Sequence, residues 1–387
     1  MIAGHLHEKK GYYYIILSYY DEYGKRHKKW KSTGLPVKGN KKRAELLLQE
    51  ARQNFEYPEQ KSDKKDILFA DYMEYWLEIA KTTITLVTYS SYSNMVKGVI
   101  APYFRERKIK LTELTPSDIQ DFYTAQLQRV KPNSVIHYHA NIHKALKYAV
   151  KTEFIPSSPA DKVDRPRKNI FVGSFYNTDE LNRLFETARG TKIELGVLFG
   201  AFYGLRRSEI VGLKWDAIDF KQNSITIRRT VVSCNVDGKH IEVESEKTKN
   251  KSSMRTLPLV PEFRERLLAL REEQEQNRKL CGRSYHKGHE DYIYVNELGE
   301  RIKPGYITWF FPQLIERHGL RRIRFHDLRH SCASLLLANG VSMKKIQEWL
   351  GHSNISTTAD IYAHLDFSSK VSSANALLGG LQIGSYQ

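Results

Sequence analysis

The apolar positions of this chain change their period along its length, and the changes divide it. GYYYIILSYY, residues 11–20, is rich in aromatic and β-branched side chains, the composition of a strand. DEYG then supplies a turn and KRHKKWKSTG a second strand, so the pair predicts a β-hairpin. In GNKKRAELLLQEARQNFE, Ala44, Leu47, Leu48 and Ala51 recur at helical spacing, which predicts a helix closing over the hairpin's apolar side. YPEQKSDKK, residues 57–65, is polar and without period and reads as a linker. ILFADYMEYWLEIAK, YSSYSNMVKGVIAPYF, TPSDIQDFYTAQLQ and SVIHYHANIHKALKYAV then each carry helical apolar spacing, with Thr115 and Ser134 at N-cap positions. Pro156, Pro159 and Pro166 interrupt the chain within a basic connector that cannot continue a helix. Beyond Phe171 the pattern is mixed. NTDELNRLFETA, capped by Asn177 or Thr178, and TKIELGVLFGAFYG read as helices ahead of GLRRSEIVGLKW. SITIRRTVVSC and HIEVES read as strands, and a basic loop leads from them to MRTLPL. PEFRERLLALREEQEQ is again helical, and two more helices follow after FHDLRHSCASLLLANG.

The expected fold is therefore multidomain and mainly α with small β-sheets. Residues 1–60 form a basic β-sheet plus helix, 66–155 a helical domain, and 171–387 a mixed α/β, mostly helical domain with a C-terminal tail. Charge sharpens this picture. In 387 residues, 61 Lys and Arg face 44 Asp and Glu, a formal net charge of +17, which favours a polyanionic partner, nucleic acid before an acidic membrane. The first sixty-five residues hold 15 Lys and Arg against 8 Asp and Glu, so Lys25, Arg26, Lys28, Lys29 and Lys31 on the second strand are candidate DNA contacts. Lysines also keep an exposed strand from aggregating, and that is the plain alternative for them. The apolar run LGVLFGAFYGL, residues 195–205, falls short of the roughly 20 residues that span a bilayer and reads as a buried helix. No apolar segment of secretory type precedes Glu8, Lys9 and Lys10, so a cytoplasmic location on DNA is expected. Cys234, Cys281 and Cys332 form no C-x-x-C pair, which argues against a disulfide framework and a Cys-type zinc site. The sequence has no G-x-x-x-x-G-K-[ST] loop to imply ATP.

Separated elements concentrate cations, imidazoles and one tyrosine. GLRRSE places Arg206 just after a glycine bend, SEKTKNKSSMR offers Lys247 on a hairpin, HDLRH supplies His326 and Arg329, and LGHSNISTTADIYAHLD supplies His352 and Tyr362. Each fragment alone is weak. In this order, with H-x-x-R, then L-G-H, then a tyrosine ten residues past that histidine, the chain resembles the tyrosine recombinase family of phage-integrase type, in detail the integrases of conjugative transposons and temperate phages. The resemblance spans most of the chain and implies an arm-type DNA-binding domain, a helical (SAM-like) core-binding domain and a catalytic domain. It implies double-stranded DNA with core-type and arm-type sites as partner, self-association into a tetrameric synaptic complex, and an excisionase or host DNA-bending protein as accessory.

The implied reaction is integration and excision of a mobile element or prophage through a 3′-phosphotyrosyl intermediate, without metal, ATP or another cofactor. Tyr362 is the expected nucleophile. Attack on a phosphodiester gathers negative charge on its non-bridging oxygens, which calls for fixed donors. Arg206 and Arg329 suit this because a guanidinium forks onto two oxygens and stays charged. His326 shares a helical face with Arg329, and His352 adds a second imidazole. Lys247, or alternatively Lys249, is the expected general acid for the departing 5′ oxygen. Glu209, three residues after Arg206, is expected to orient its guanidinium. Arg207 is the rival for the role of Arg206, and a metal site at His326 and His330 lacks the Glu of H-E-x-x-H, since Asp327 stands there. A type IB topoisomerase-like nicking-closing enzyme and a non-catalytic DNA-binding regulator are the alternatives. The first has little use for the basic N-terminal sheet, and the second none for the ladder of cations.

Overall fold

The computed structural model describes residues 2–20, 26–55, 67–169, 174–246 and 254–353, and the chain divides into two compact units, Met1–Ile67 and Leu68–Gln387. The expected turn at 21–24 and linker at 57–65 lie outside the described residues.

The first unit is a three-stranded antiparallel sheet of β1 (Ala3–Lys9), β2 (Tyr12–Tyr20) and β3 (Arg26–Pro36), followed by α1 (Lys41–Gln53). β2 and β3 are the expected hairpin; β1 is an addition, joined to β2 through Lys10 and Gly11 with φ of 52° and 80°, the primed-turn geometry that matches strand twist. HLHEK gave little signal because its apolar content is a single leucine. Alternation sorts the strands into two faces. Gly4, paired with Leu17, lies so close to Leu17 and Leu48 that a Cβ would stand 2.6 Å and 3.3 Å from them, so this is the face that α1 covers. The basic residues of β3 divide by the same rule. Lys29 is on the α1 side, its ammonium 5.5 Å from the Phe55 ring, and Lys31 shares that parity. Arg26, Lys28 and the half-exposed Trp30 are on the opposite face with His7, whose ring meets Trp30 edge-on at 5.2 Å.

The second unit begins with α2 (Phe69–Lys81), α3 (Leu86–Met95), a π-turn (Val96–Ile100), α4 (Ala101–Arg107), α5 (Pro116–Leu127) and α6 (Pro132–Lys151) around a core that includes Phe69, Tyr72, Phe104, Phe122 and Tyr123. Thr115 caps α5, accepting from the Asp118 amide at 3.2 Å while the Asp118 carboxylate accepts from the Thr115 amide at 2.8 Å. Ser134 is not a cap: Lys131 takes that place because Pro132, with no N–H to satisfy, opens the helix. The proline connector folds back on the helices, where His143 Nε2 lies 2.8 Å from Asp161 and the Asp164 amide donates to Gln120.

Next come α7 (Thr178–Ala188), capped by Asn177, then α8 (Glu194–Phe202) and α9 (Arg207–Val211). Strands β4 (Ile218–Asp219), β5 (Ser224–Ile227), β6 (Thr230–Val236), β7 (Lys239–Ser245) and β8 (Arg255–Pro258) make two sheets, ordered β4-β5-β8 and β6-β7. The expected single strand SITIRRTVVSC is thus two strands in different sheets. The break falls at Arg228 and Arg229, both drawn onto Asp216. Helices α10 (Pro261–Cys281), α11 (Pro304–Arg317), α12 (Asp327–Ala338) and α13 (Met343–Leu350) complete the described chain. The sequence reading assigned no element to α11, whose interior Pro312 reads as a helix breaker. Among the described residues no helix is long and apolar enough to cross a membrane.

Candidate active site

The glycine bend before Arg206 has a steric cause. Gly204 has φ +64°, and a Cβ there would collide with Leu350 and lie 3.6 Å from Arg329 Cγ. The chain then turns into α9 with Arg206 at the N-cap, φ −70° and ψ 148°. Glu209 accepts from the Arg206 amide at 2.9 Å and from Arg206 Nη1 at 2.8 Å. On its other side Glu209 accepts from Arg255 Nη2 at 3.0 Å and Nη1 at 3.3 Å. This carboxylate is 1 % exposed. Burial alone would raise its pKa, but Arg255, Arg206 and Arg329 outweigh burial and hold it at about 2. Glu209 therefore stays ionised and aligns two guanidiniums.

Arg206 and Arg207 go separate ways. Arg207 Nη1 donates to Thr308 Oγ1 on α11, whereas Arg206 stays with Glu209.

His326 is the N-cap of α12, and Arg329 stands one turn into it. Arg329 is 1 % exposed and directs Nη1 to the Gly204 carbonyl at 2.7 Å, Nη2 to the Leu350 carbonyl at 2.6 Å and Nε to His352 Nε2 at 3.3 Å. Three of its five N–H donors thus go to protein, so at most two remain for a phosphate. Burial first, and then Arg206, lower its pKa to about 9, which leaves it charged at neutral pH.

His352 is positioned by the helix end before it. Leu350 is fully buried, Gly351 takes the left-handed conformation (φ 68°, ψ 48°) that ends α13, and the His352 amide donates back to the Gln347 carbonyl at 3.0 Å, a Schellman-type stop. L-G-H is thus an anchor, a reversal and the imidazole it aims. Burial, followed by Arg329 and Arg206, lowers the His352 pKa to about 3. His326 keeps an exposed edge, yet dense surroundings, followed by His330, Arg329 and Arg206, bring it down to about 4. Both rings are neutral at pH 7, so each offers one N–H donor and one acceptor nitrogen. The nitrogen of His352 facing Arg329 Nε is the acceptor.

Asp327 is 2 % exposed and accepts from the Arg324 amide at 2.8 Å and from Arg324 Nη2 at 2.7 Å. Its carboxylate therefore ties the segment ahead of α12 to the first turn of the helix. Among the described residues no group of three His, Cys, Asp or Glu is arranged to hold a metal.

The structure thus brings Arg206, Glu209, His326, Arg329 and His352 to one place, where the ends of α8, α9, α12 and α13 meet. Lys247, Lys249, Tyr362 and the tail beyond it lie outside the described residues, as does Lys25. Arg26 and Lys28 belong to the first unit and occupy the opposite face of its sheet from Lys29 and Lys31. Two residues of the site were missed by sequence reasoning. Arg255 opens β8, where buried positions alternate as Arg255 and Leu257; an arginine on the inward parity of an apolar strand was the available signal. Gly204, read only as a bend, supplies the carbonyl that holds Arg329.

Residues 68–127 match the Phage integrase N-terminal SAM-like domain. The ICEBs1 integrase of Bacillus subtilis (strain 168) is 27 % identical over 335 residues, covering 84 % of this chain and 86 % of its own. The fold is shared with the Tn1549 transposon integrase in complex with a circular intermediate DNA, at TM-score 0.65 and 15 % identity over 80 % of this chain and 98 % of that one. It is also shared with the lambda integrase tetramer bound to a Holliday junction, at TM-score 0.54 and 15 % identity over 90 % of this chain and 95 % of that one. Residues 175–369, half of the chain and the part that carries every member of the cradle, match the Phage integrase family, so the chain belongs to that family and is a tyrosine site-specific recombinase.

Proposed function

We propose that this recombinase integrates and excises a mobile element or prophage by cutting and rejoining DNA through a 3′-phosphotyrosyl bond on Tyr362. The observation that supports it most is the convergence of Arg206, Arg329, His326 and His352 on one centre with a buried carboxylate behind them. In this reading Arg206 and the remaining N–H donors of Arg329 meet the non-bridging oxygens of the scissile phosphate as charge builds there. Neutral His326 and His352 add hydrogen bonds without adding charge. The Tyr362 hydroxyl loses its proton to solvent as its oxygen bonds to phosphorus, the bond from phosphorus to the 5′ oxygen breaks, and Lys247, or Lys249 in its place, delivers a proton to that departing oxygen. Because the phosphotyrosyl bond keeps the energy of the broken linkage, an incoming 5′ hydroxyl reverses the step.

Residues 1–60 act as the arm-type DNA-binding domain, 66–155 as the core-binding domain and 171–387 as the catalytic domain. The partner is double-stranded DNA, on which the protein assembles as a tetramer. The deciding experiment is covalent trapping on a nicked substrate built from the DNA flanking the gene. Wild-type protein forms an adduct, and Tyr362→Phe forms none while binding the DNA nearly as well. Adduct with the Phe variant excludes Tyr362, and adduct without strand exchange between two duplexes favours a topoisomerase.

A further inference from the structure

Strands β6 and β7 make a hairpin whose two ends touch different parts of the second unit. At the root, Val231 is fully buried. Gly212, which ends α9, packs so closely that a Cβ would stand 3.0 Å from the Arg229 carbonyl and from Thr230 Cα. Lys214 pairs with Glu244 at 2.8 Å, and Arg301 with Glu242 at 2.5 Å. The hairpin is thus anchored to α9, the helix that carries Arg206 and Glu209. At the tip, Asp237 and Gly238 form a turn with φ of 49° and 77°, and this turn reaches the helical segment. Ser90 of α3, 4 % exposed, donates its hydroxyl to the Asn235 carbonyl at 2.6 Å. The Asp237 carboxylate lies 3.6 Å from Lys81 Nζ and 3.7 Å from Lys97 Nζ. Glu78 shares both lysines at 4.0 Å and 3.8 Å.

The composition of this contact limits what it does. Its charged members are about half exposed, and such pairs add little stability; polar contacts of this kind are usual where parts of a chain must keep a geometry without fusing. The span is what distinguishes the hairpin: one end on the helix of Arg206, the other on helices that contribute nothing to the cradle.

We infer that Ser90, Lys81, Lys97, Asn235 and Asp237 are positioning residues that fix which phosphodiester enters the Arg206–Arg329 site relative to the DNA held by the helical segment. This rests on the core-binding role given to that segment under Proposed function. The tolerance is small, because successive phosphates on one strand are about 3.4 Å apart along the duplex axis. A displacement of that size between the two parts presents the neighbouring bond.

The test maps adduct position at nucleotide resolution with the full chain. Asp237→Lys places a third cation between Lys81 and Lys97. It should bind DNA with little change, lose about 10²-fold of adduct at the wild-type position, as expected for a misplacement of about 1 Å or more, and gain adduct at adjacent phosphodiesters. Ser90→Ala should shift the same way to a smaller degree. Because Glu78 shares both lysines, inverting all four charges, with Asp237→Lys and Glu78→Lys against Lys81→Glu and Lys97→Glu, restores the opposite charges and should restore the single position. Unchanged rate and position in both Asp237→Lys and Ser90→Ala overturns the inference, as does a uniform loss with no new position and no recovery in the charge swap. Wild-type protein that forms no adduct anywhere overturns the recombination reading instead, and wild-type adduct at one position separates the two failures.

Discussion

At the scale of single residues, the site is organised by the buried carboxylate that lies behind its arginines. Glu209, buried between Arg206 and Arg255, ties two guanidiniums to one carboxylate, and this explains why lysine is a poor substitute. Arg206→Lys keeps the charge but loses the fork, so cleavage measured by adduct formation should fall on the order of 10²- to 10³-fold with little change in DNA affinity. His352 makes a different prediction, about acid. Its folded pKa of about 3 lies below the ordinary histidine value near 6.5. The unfolded chain therefore binds the proton first, and stability present above pH 6.5 is lost as pH falls toward 3, by about 1.4 kcal/mol per pH unit. His352→Gln cannot take up that proton, so its melting temperature should fall less steeply than that of the wild type between pH 6 and 4. An equal slope in both proteins would mean that another group carries the loss.

At the scale of elements, short motifs turn out to be packing instructions. G-L-R and L-G-H meet because Gly204 and Leu350 both present carbonyls to Arg329. Gly204→Ala puts a Cβ into a left-handed backbone against Leu350, so urea unfolding should show a loss of about 1–3 kcal/mol, with reduced cleavage, because the carbonyl that holds Arg329 moves. The motifs were legible as candidates because the chemistry restricts their residue types. The packing partner Arg255 was not, since one arginine at the start of a strand looks like surface charge until the strand's inward parity is known. The N-terminal basic residues show the same limit. Their number was plain, but the two-residue period of β3 separates Arg26 and Lys28 from Lys29 and Lys31. If the face away from α1 meets DNA, Lys28→Ala should reduce the slope of log affinity against log salt by about 0.9, the contribution of one phosphate contact. Lys31→Ala should change it less. Titrations at several salt concentrations on arm-site DNA compare the two.

At the scale of the whole molecule, the division into two units predicts that a chain beginning at Leu68 folds without the N-terminal sheet, since its own core runs from Phe69 to Leu350. It should form the covalent adduct on a core-site substrate and lose protection of arm-site DNA in footprinting. Failure to fold would show that the units are not independent. The order of the three segments was readable from periodicity. What periodicity missed were β1, with too few apolar residues to register, α11, disguised by Pro312, and the π-turn within YSSYSNMVKGVIAPYF, which changes the phase of a helix without altering its polarity. That last feature resembles a tooth added to a gear. Each residue advances an α-helix by about 100°, and a π-turn holds one residue more than the ordinary turn would. Downstream of it, Phe104 meshes with Phe69, their rings 4.8 Å apart; upstream, Ser90 meets Asn235. Removing Gly98, which has open space around it, would keep both surfaces intact and turn one against the other by about 100°. The extra residue is the setting that lets the same rod engage its core on one side and the hairpin on the other.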